Sequence, residues 1–495
     1  MRYPGFISGS YELQSPIADL ERTVNWYPEQ IASASVPWGA ALFPTPGQDE
    51  FLTVGTVNTR ALFSMAGRVH AVVGGTLYEV FAGATATSRG TMLQDPNPAS
   101  IASNGDAGGE LLIASGTNGY LLNLSTNGVS TVLTGDCVQV GMLDGYFLAF
   151  NTATSKFRIS ELNDGTTWDA TQYAQRSIAA DPWRAMVVDG SRQIWLIGEQ
   201  TGEVWYDAGT SPFPFEPVPG AVFGYGTPAP WTVKLVGSMM CWLSQTADGA
   251  GIVVGAQGLV PERISTNAVE TAIAGYIRTS KITDAEALVY EMEGHTFYVL
   301  SFPSANATWT FDLNTGVWHE RGTWDAAAGD YDLWSPRVHC YGFNQHLVGD
   351  RTSGLLCTMD TATTTECNGD TIRRLRIPPP IWRSPDVRRM FVSRFALMLE
   401  VGLGTATGAG VDPQVMLRSS TNAKTWSDVR TAAAGAQGAY GTEVVWTRLP
   451  SSTQLWVPEV TVTDPIPWRL VGAEVDGRGF WGETTRAVGT AETAA

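Results

Sequence analysis

Lysine is nearly absent from this chain. Among 495 residues only Lys156, Lys234, Lys281 and Lys424 are lysines, and 31 basic residues face 48 acids, for a formal net charge of −17. A protein that grips nucleic acid neutralises phosphates with a basic patch, so this balance argues against that class. It does not argue against DNA that must slide, because a negative wall repels phosphates. At physiological salt that repulsion reaches only roughly 8–10 Å. Long apolar runs are missing as well. No stretch reaches the roughly 18 residues of a membrane helix, so no membrane span is expected. The N-terminal MRYPGFISGSYELQSP has no apolar core of a secretory signal.

Cysteine and histidine are scarce. The five cysteines, at 137, 241, 340, 357 and 367, form no CxxC and match no zinc spacing. They are expected to be buried reduced thiols. Cys357 and Cys367, across a turn-rich segment, are the one candidate pair. His70, His295, His319, His339 and His346 make no HExxH motif, and no GxSxG, Walker loop or dinucleotide fingerprint occurs. No catalytic, cofactor-binding or metal residue is assigned, and an enzyme is not expected.

What is present is a repeat. A short apolar strand, a Gly/Asn/Asp turn and a second strand recur from Arg68, Glu110, Tyr146, Arg192, Met240, His295 and Cys340. The second strands are marked by Tyr78, Leu122, Phe157, Trp205, Ile252, Trp309 and Leu356. Gaps of roughly 35–57 residues suit four-stranded propeller blades. One blade cannot bury both faces of its sheet and a ring of blades can, so the repeat predicts closure with six or seven blades. SPFPFEPVPG, from Ser211 to Gly220, has too many prolines for an interior strand and is expected to be an exposed loop.

The expected fold is all-β. Residues 61–370 form the propeller. Residues 1–60 are an extended segment packing on an outer domain, residues 371–480 a C-terminal β domain, and residues 481–495 a disordered tail. The outer domain is read as sandwich-like, built from the C-terminal region with the N-terminal segment. Its strand-like runs, such as Leu455–Asp464, alternate apolar and polar residues in part.

Three motifs bear on chemistry. RSSTNAKTW, Arg418 to Trp426, resembles a degenerate Asp-box, with Thr421 in the Asp position and Ala423 in the Gly position. Such a box is a fold-stabilising turn. Gly294-His295 followed by Trp324-Asp325 resembles one WD40 signature, found once. Arg373, Arg374, Arg376, Arg383, Arg388, Arg389 and Arg394 cluster after the blades. Arginine forks bind phosphate, but in so acidic a chain they are read first as a salt-bridge belt between domains or as contacts to another subunit or partner.

VNWYPE (Val24 to Glu29), LFPTPG (Leu42 to Gly47), ISELNDGTTWD (Ile159 to Asp169), DLNTGVWHER (Asp312 to Arg321) and VTDPIPWRLVGAEVDG (Val462 to Gly477) follow one another in a telling order. In that order they resemble the tail hub or nozzle proteins of short-tailed bacteriophages, also called packaged-DNA stabilisation proteins. The resemblance implies a virion-tail component made in the host cytoplasm, a homo-hexameric tube below the portal and the tail adaptor ring. That tube would retain packaged double-stranded DNA and pass it at ejection, without sequence-specific binding. A tail needle or plug and tail fibres or spikes would be neighbours, and no cofactor is implied. The rival reading is a sialidase-type propeller enzyme or a glycan-binding propeller, which would gather arginines and acids on the funnel face of the ring.

Overall fold

The computed structural model describes residues 1–32, 39–176, 178–246 and 248–481. Among the described residues seven four-stranded antiparallel blades form a closed ring, six of them separate sheets and one, blade 6, part of an eleven-stranded sheet. Blade 1 spans residues 59–91, blade 2 100–133, blade 3 139–175, blade 4 183–223, blade 5 234–263 and blade 6 286–321. Blade 7 takes three strands from residues 336–360 and its outermost strand from Gly47–Thr53. The strand pairs read from the sequence are the second and third strands of the blades, except that the seventh unit starts at Cys340 on the first strand of blade 7; Tyr78, Leu122, Phe157, Trp205, Ile252, Trp309 and Leu356 all lie on third strands.

These strands are apolar on both faces because each blade packs between two others. Glu110–Ser115, for example, is buried throughout. Each seam has its own core. Val72 and Leu77 of blade 1 meet Leu111 and Ile113 of blade 2, while Val69 and Leu62 of blade 1 meet Leu347 and Leu356 of blade 7. Approach is close where blade 7 meets blade 1. A Cβ on Gly349 would lie 2.5 Å from Thr59 Cγ2, so only glycine fits there.

Two segments differ from the sequence reading. Residues 1–60 do not all pack on the outer domain: Gly47–Thr53 pairs with Leu355–Asp360 and completes the ring. Its polar sequence, GQDEFLT, suits an outermost strand, and without it blade 7 would keep a bare edge. SPFPFEPVPG is not wholly a loop either. Phe215–Phe223 is the outer strand of blade 4, where Pro217 and Pro219 sit on an edge with no further neighbour.

The rest of the N-terminal segment joins the C-terminal region in a two-sheet sandwich. One sheet continues blade 6: Val317–Arg321 lies parallel to Leu20–Val24, followed by Arg374–Ile377, Leu455–Val462, Gln414–Ser420 and Arg430–Ala433. The other runs Trp26–Gln30, Ala40–Pro44, Leu470–Arg478, Met390–Leu399 and Val444–Thr447. Tyr3, Phe6, Trp26 and Leu42 share their core with Phe395, Trp446, Trp456 and Trp468. A helix the sequence reading did not place, Asn267–Thr279, links blades 5 and 6. Thr266 caps it by accepting the Val269 N–H at 3.4 Å, and Val269 and Ile273 pack into the blade 5–6 core.

Cys357 and Cys367 form a disulfide with Cα atoms 6.2 Å apart, and Cys137, Cys241 and Cys340 are buried thiols. Most of the expected tail, residues 482–495, lies outside the described residues.

Candidate interaction surface

The arginine cluster divides in two. Arg374 and Arg376 lie on a strand enclosed on both sides by the sandwich sheet, and neither reaches the surface. Arg376 donates to the carbonyls of Phe6 at 2.6 Å, Gly9 at 3.1 Å and Gly5 at 2.9 Å, and to Thr23 Oγ1 at 2.7 Å. It is also ion-paired with Glu21. It staples the N-terminal segment to the C-terminal sheet. Arg374 is pushed down to about 10 by burial, against the pull of Glu366. Burial lifts Glu366 in turn to about 7, opposed by Arg374 and Arg321. Arg373 stacks 4.0 Å over Trp324. The expectation of partner contacts is therefore corrected for Arg374 and Arg376, which are enclosed within this chain's own sheet.

The other four reach the surface. Arg383 braces its loop by donating to the Thr453 and Ser384 carbonyls, both at 2.8 Å. Arg388 and Arg389 are exposed beside it around a hollow of about 650 Å³. Arg394 faces Glu474 and Asp476 at 3.5 and 3.4 Å. Strand pairing brings aromatics to the same place. Phe391 lies opposite Arg478, which stacks over its ring at 4.7 Å, and the Trp481 N–H donates to the Trp382 carbonyl at 2.8 Å. Trp382, Phe391 and Trp481 are 37%, 40% and 67% exposed. Arg383, Arg388 and Arg389 outnumber the one acid lining the hollow, Asp386, on a chain of strongly negative charge. Exposed Trp and Phe among arginines are the composition of an interface centre. Sequence reading missed the aromatics, although W-R at 382–383, R-M-F at 389–391 and R-G-F-W at 478–481 carry the signal.

The motifs that bear on chemistry have structural roles. In the Asp-box-like turn, Asn422 Oδ1 accepts the N–H groups of Lys424 and Thr425, both at 2.9 Å, and Ala423 takes a left-handed φ of 58°. His295 does not pair with the Trp324-Asp325 dipeptide. It is held by Asp312 at 2.7 Å and Glu29 at 2.5 Å, and these hydrogen bonds raise it to about 9 despite burial. His339 Nε2 and His346 Nδ1 are 3.0 Å apart. No metal-ligand cluster occurs among the described residues.

Three arginines that sequence reading overlooked do lie near the propeller axis: Arg60, Arg337 and Arg351. Each is ion-paired, although Arg351 Nε has no hydrogen-bond partner among the described residues. Arg337 and Arg351 share Glu286, and Arg60 is ion-paired with Asp95.

Closed propeller and grafted sandwich define an all-β protein. Residues 30–364 match the family described as bacteriophage P22 Gp10, beta-propeller, and the chain belongs to that family. It is a structural protein of a phage tail and a component of the virion. No curated protein matches it. Among solved structures, virginiamycin B lyase from Staphylococcus aureus is 8% identical with a TM-score of 0.40, covering 62% of this chain and 97% of the lyase. PorZ, a surface component of the type-IX secretion system of Porphyromonas gingivalis, is 12% identical with a TM-score of 0.38, covering 62% and 37%. Likeness that distant carries no argument about activity.

Proposed function

We propose that this chain is the wall subunit of a homo-hexameric tail hub or nozzle. It sits below the portal and adaptor ring, retains packaged double-stranded DNA with a needle or plug, and conducts it at ejection. Tail fibres or spikes dock beside it. Family membership supports the tail assignment. The patch of Trp382, Phe391, Trp481, Arg388 and Arg389 carries the assembly part, because its charge complements the net negative charge of a second copy.

The propeller itself is no conduit. Its first strands enclose axial cavities of about 260 and 480 Å³, lined by side chains such as Phe63, Ile101, Met142 and Leu235. DNA therefore runs between copies. There the acidic surplus repels phosphates where the bore is narrow and leaves the polymer free to slide.

Negative-stain imaging of the purified chain, alone and mixed with its adaptor ring, tests this. Six-fold rings with a central hole are expected in at least one condition. Arg388→Glu combined with Trp481→Ala should leave single particles with unchanged thermal stability. Lone propellers from wild type in both conditions would sink the reading.

A further inference from the structure

The basic aromatic patch needs a complementary surface, and the propeller of the same chain carries one. Glu293-Gly294 in blade 6 and Phe343-Asn344 in blade 7 are two-residue hairpin turns, with left-handed φ of 51° and 81°, then 56° and 59°. Both join a first strand to a second, so they lie at the same end of the ring. A cleft of about 1020 Å³ opens between these two blades, with residues 360–363 along it.

Asp49, Glu291, Glu293 and Asp360 line this cleft, all of them exposed, and no lysine or arginine lines it. None of the four is ion-paired among the described residues. Their hydrogen bonds come from neutral groups: Asp49 accepts from Thr363 Oγ1 at 2.7 Å, Glu293 from Thr361 Oγ1 at 3.3 Å and Asp360 from the Ala362 N–H at 2.6 Å. His339 and His346 line the cleft as well. Burial pushes the first down to about 4 and the second below its ordinary value, so neither offsets the acids at neutral pH. The patch is the converse. Arg383, Arg388 and Arg389 against Asp386 give its hollow two surplus positive charges. These arginines are also without an ion pair among the described residues; Arg389 donates to Ser451 Oγ at 3.3 Å and Arg383 to carbonyls. Elsewhere Arg22, Arg60, Arg337 and Arg376 each pair with an acid of their own chain.

We infer that the patch of one copy docks on the blade 6–7 cleft of the next, its arginines among Asp49, Glu291, Glu293 and Asp360. This rests on the assembly reading above and names the surface that receives the patch. Carboxylates take arginine forks bidentately, and the ring of Tyr341, 56% exposed, gives a guanidinium or an indole a face to stack on. Burial of Trp382, Phe391 and Trp481 supplies the affinity at the centre, while the charges fix which surfaces meet. A patch and a cleft that differ make a heterologous contact. Copies then add head to tail, and a ring results when the rotation between neighbours closes.

Sedimentation velocity of the full chain over a wide range of concentration tests this, and where wild type assembles only on its adaptor ring the same variants are compared there. Wild type is expected to form multimers that salt weakens. Glu291→Arg with Glu293→Arg, and separately Arg388→Glu with Arg389→Glu, should each weaken association at least about tenfold with the melting temperature unchanged. An equimolar mixture of the two variants should recover it, because the reversed patch of one then meets the reversed cleft of the other and the untouched pair is as in wild type. Glu291→Gln with Glu293→Gln is made alongside in case the reversed cleft does not fold, and should also weaken association. Association that survives the cleft variants, or that is lost on patch reversal and not recovered in the mixture, would overturn this pairing and leave the tube reading standing. Wild type that stays single at every concentration and on the adaptor ring would overturn both.

Discussion

The seam between blades 3 and 4 differs in materials from the region where blades 6 and 7 meet each other and the sandwich. The first is mainly aromatic: Phe150, Phe157, Trp183, Trp205 and Phe215 pack on one another, and one buried charge cluster sits beside them, where Glu203 accepts from Trp183 Nε1 at 2.7 Å and lies 3.7 Å from Arg176. At the second, apolar packing is joined by buried charge. Glu286 bridges Arg337 and Arg351, Arg22 pairs with Glu320 at 2.6 Å, and His295 links Asp312 to Glu29. Chain connectivity accounts for the difference. Blades 1 to 5 each fold from one stretch, so which strands pair is set by neighbours in the sequence. Blades 6 and 7 must recruit Leu20–Val24 and Gly47–Thr53 across a long loop, and ion pairs fix which segment pairs where.

The two seams should therefore fail differently. Glu286→Ala leaves two buried guanidinium groups unpaired and is expected to cost about 3–5 kcal/mol. Phe157→Ala leaves a cavity and should cost about 3–5 kcal/mol as well. Their pH dependence separates them. Burial pushes Glu286 up, but Arg337 and Arg351 outweigh it and hold the carboxyl below its ordinary value. Its contribution is thus present above the ordinary carboxylate range and lost as pH falls through the depressed value. Urea unfolding at acid and neutral pH should show the Glu286→Ala penalty shrinking on acidification and the Phe157→Ala penalty unchanged. Equal pH behaviour would erase the distinction between the seams.

That distinction also marks where the sequence was legible. Second and third strands were readable in every blade because both are apolar and a Gly/Asn/Asp turn joins them. First and outer strands were not. Lys234–Val236 is only three residues, and Thr85–Thr91 is polar because it faces water. Gly47–Thr53 had no local signal, since its partner lies about three hundred residues away. The arginine run pointed to a charged belt. Whether Arg376 faced a partner or the core depended on the Gly5, Phe6 and Gly9 carbonyls, and spacing cannot bring those to it.

A smaller effect concerns the segment after blade 7. The Cys357–Cys367 disulfide joins residues ten apart in sequence, and Cys367→Ser should cost about 2–3 kcal/mol by the loop-entropy model. Thermal melts with and without reductant check this, and reductant should not affect the variant. A loss confined to the propeller transition would tie this bridge to ring closure. A loss shared by the sandwich would show that the two regions unfold as one unit, as their continuous sheet suggests.

The smallest effect sharpens the comparison from the alkaline side. His295 is raised to about 9, first by its hydrogen bond to Asp312 and then by Glu29, against desolvation. Tyr27 and Phe297 pack around its ring, and buried His319 is held neutral nearby. Because the folded value lies above the unfolded one, the clamp contributes fully below about pH 6.5 and is lost as pH rises through about 9. At about 1.4 kcal/mol per pKa unit the shift corresponds to roughly 3 kcal/mol. Glu29 is 39% exposed, and solvent screening of its share leaves about 2 kcal/mol. Urea midpoints should therefore fall between neutral pH and about pH 9.5 in wild type, fall less in Glu29→Gln, and stay flat in His295→Gln. Glu29 belongs to the sandwich while His295 and Asp312 belong to blade 6, so a flat wild-type profile would mean that the two regions are joined by backbone and packing alone.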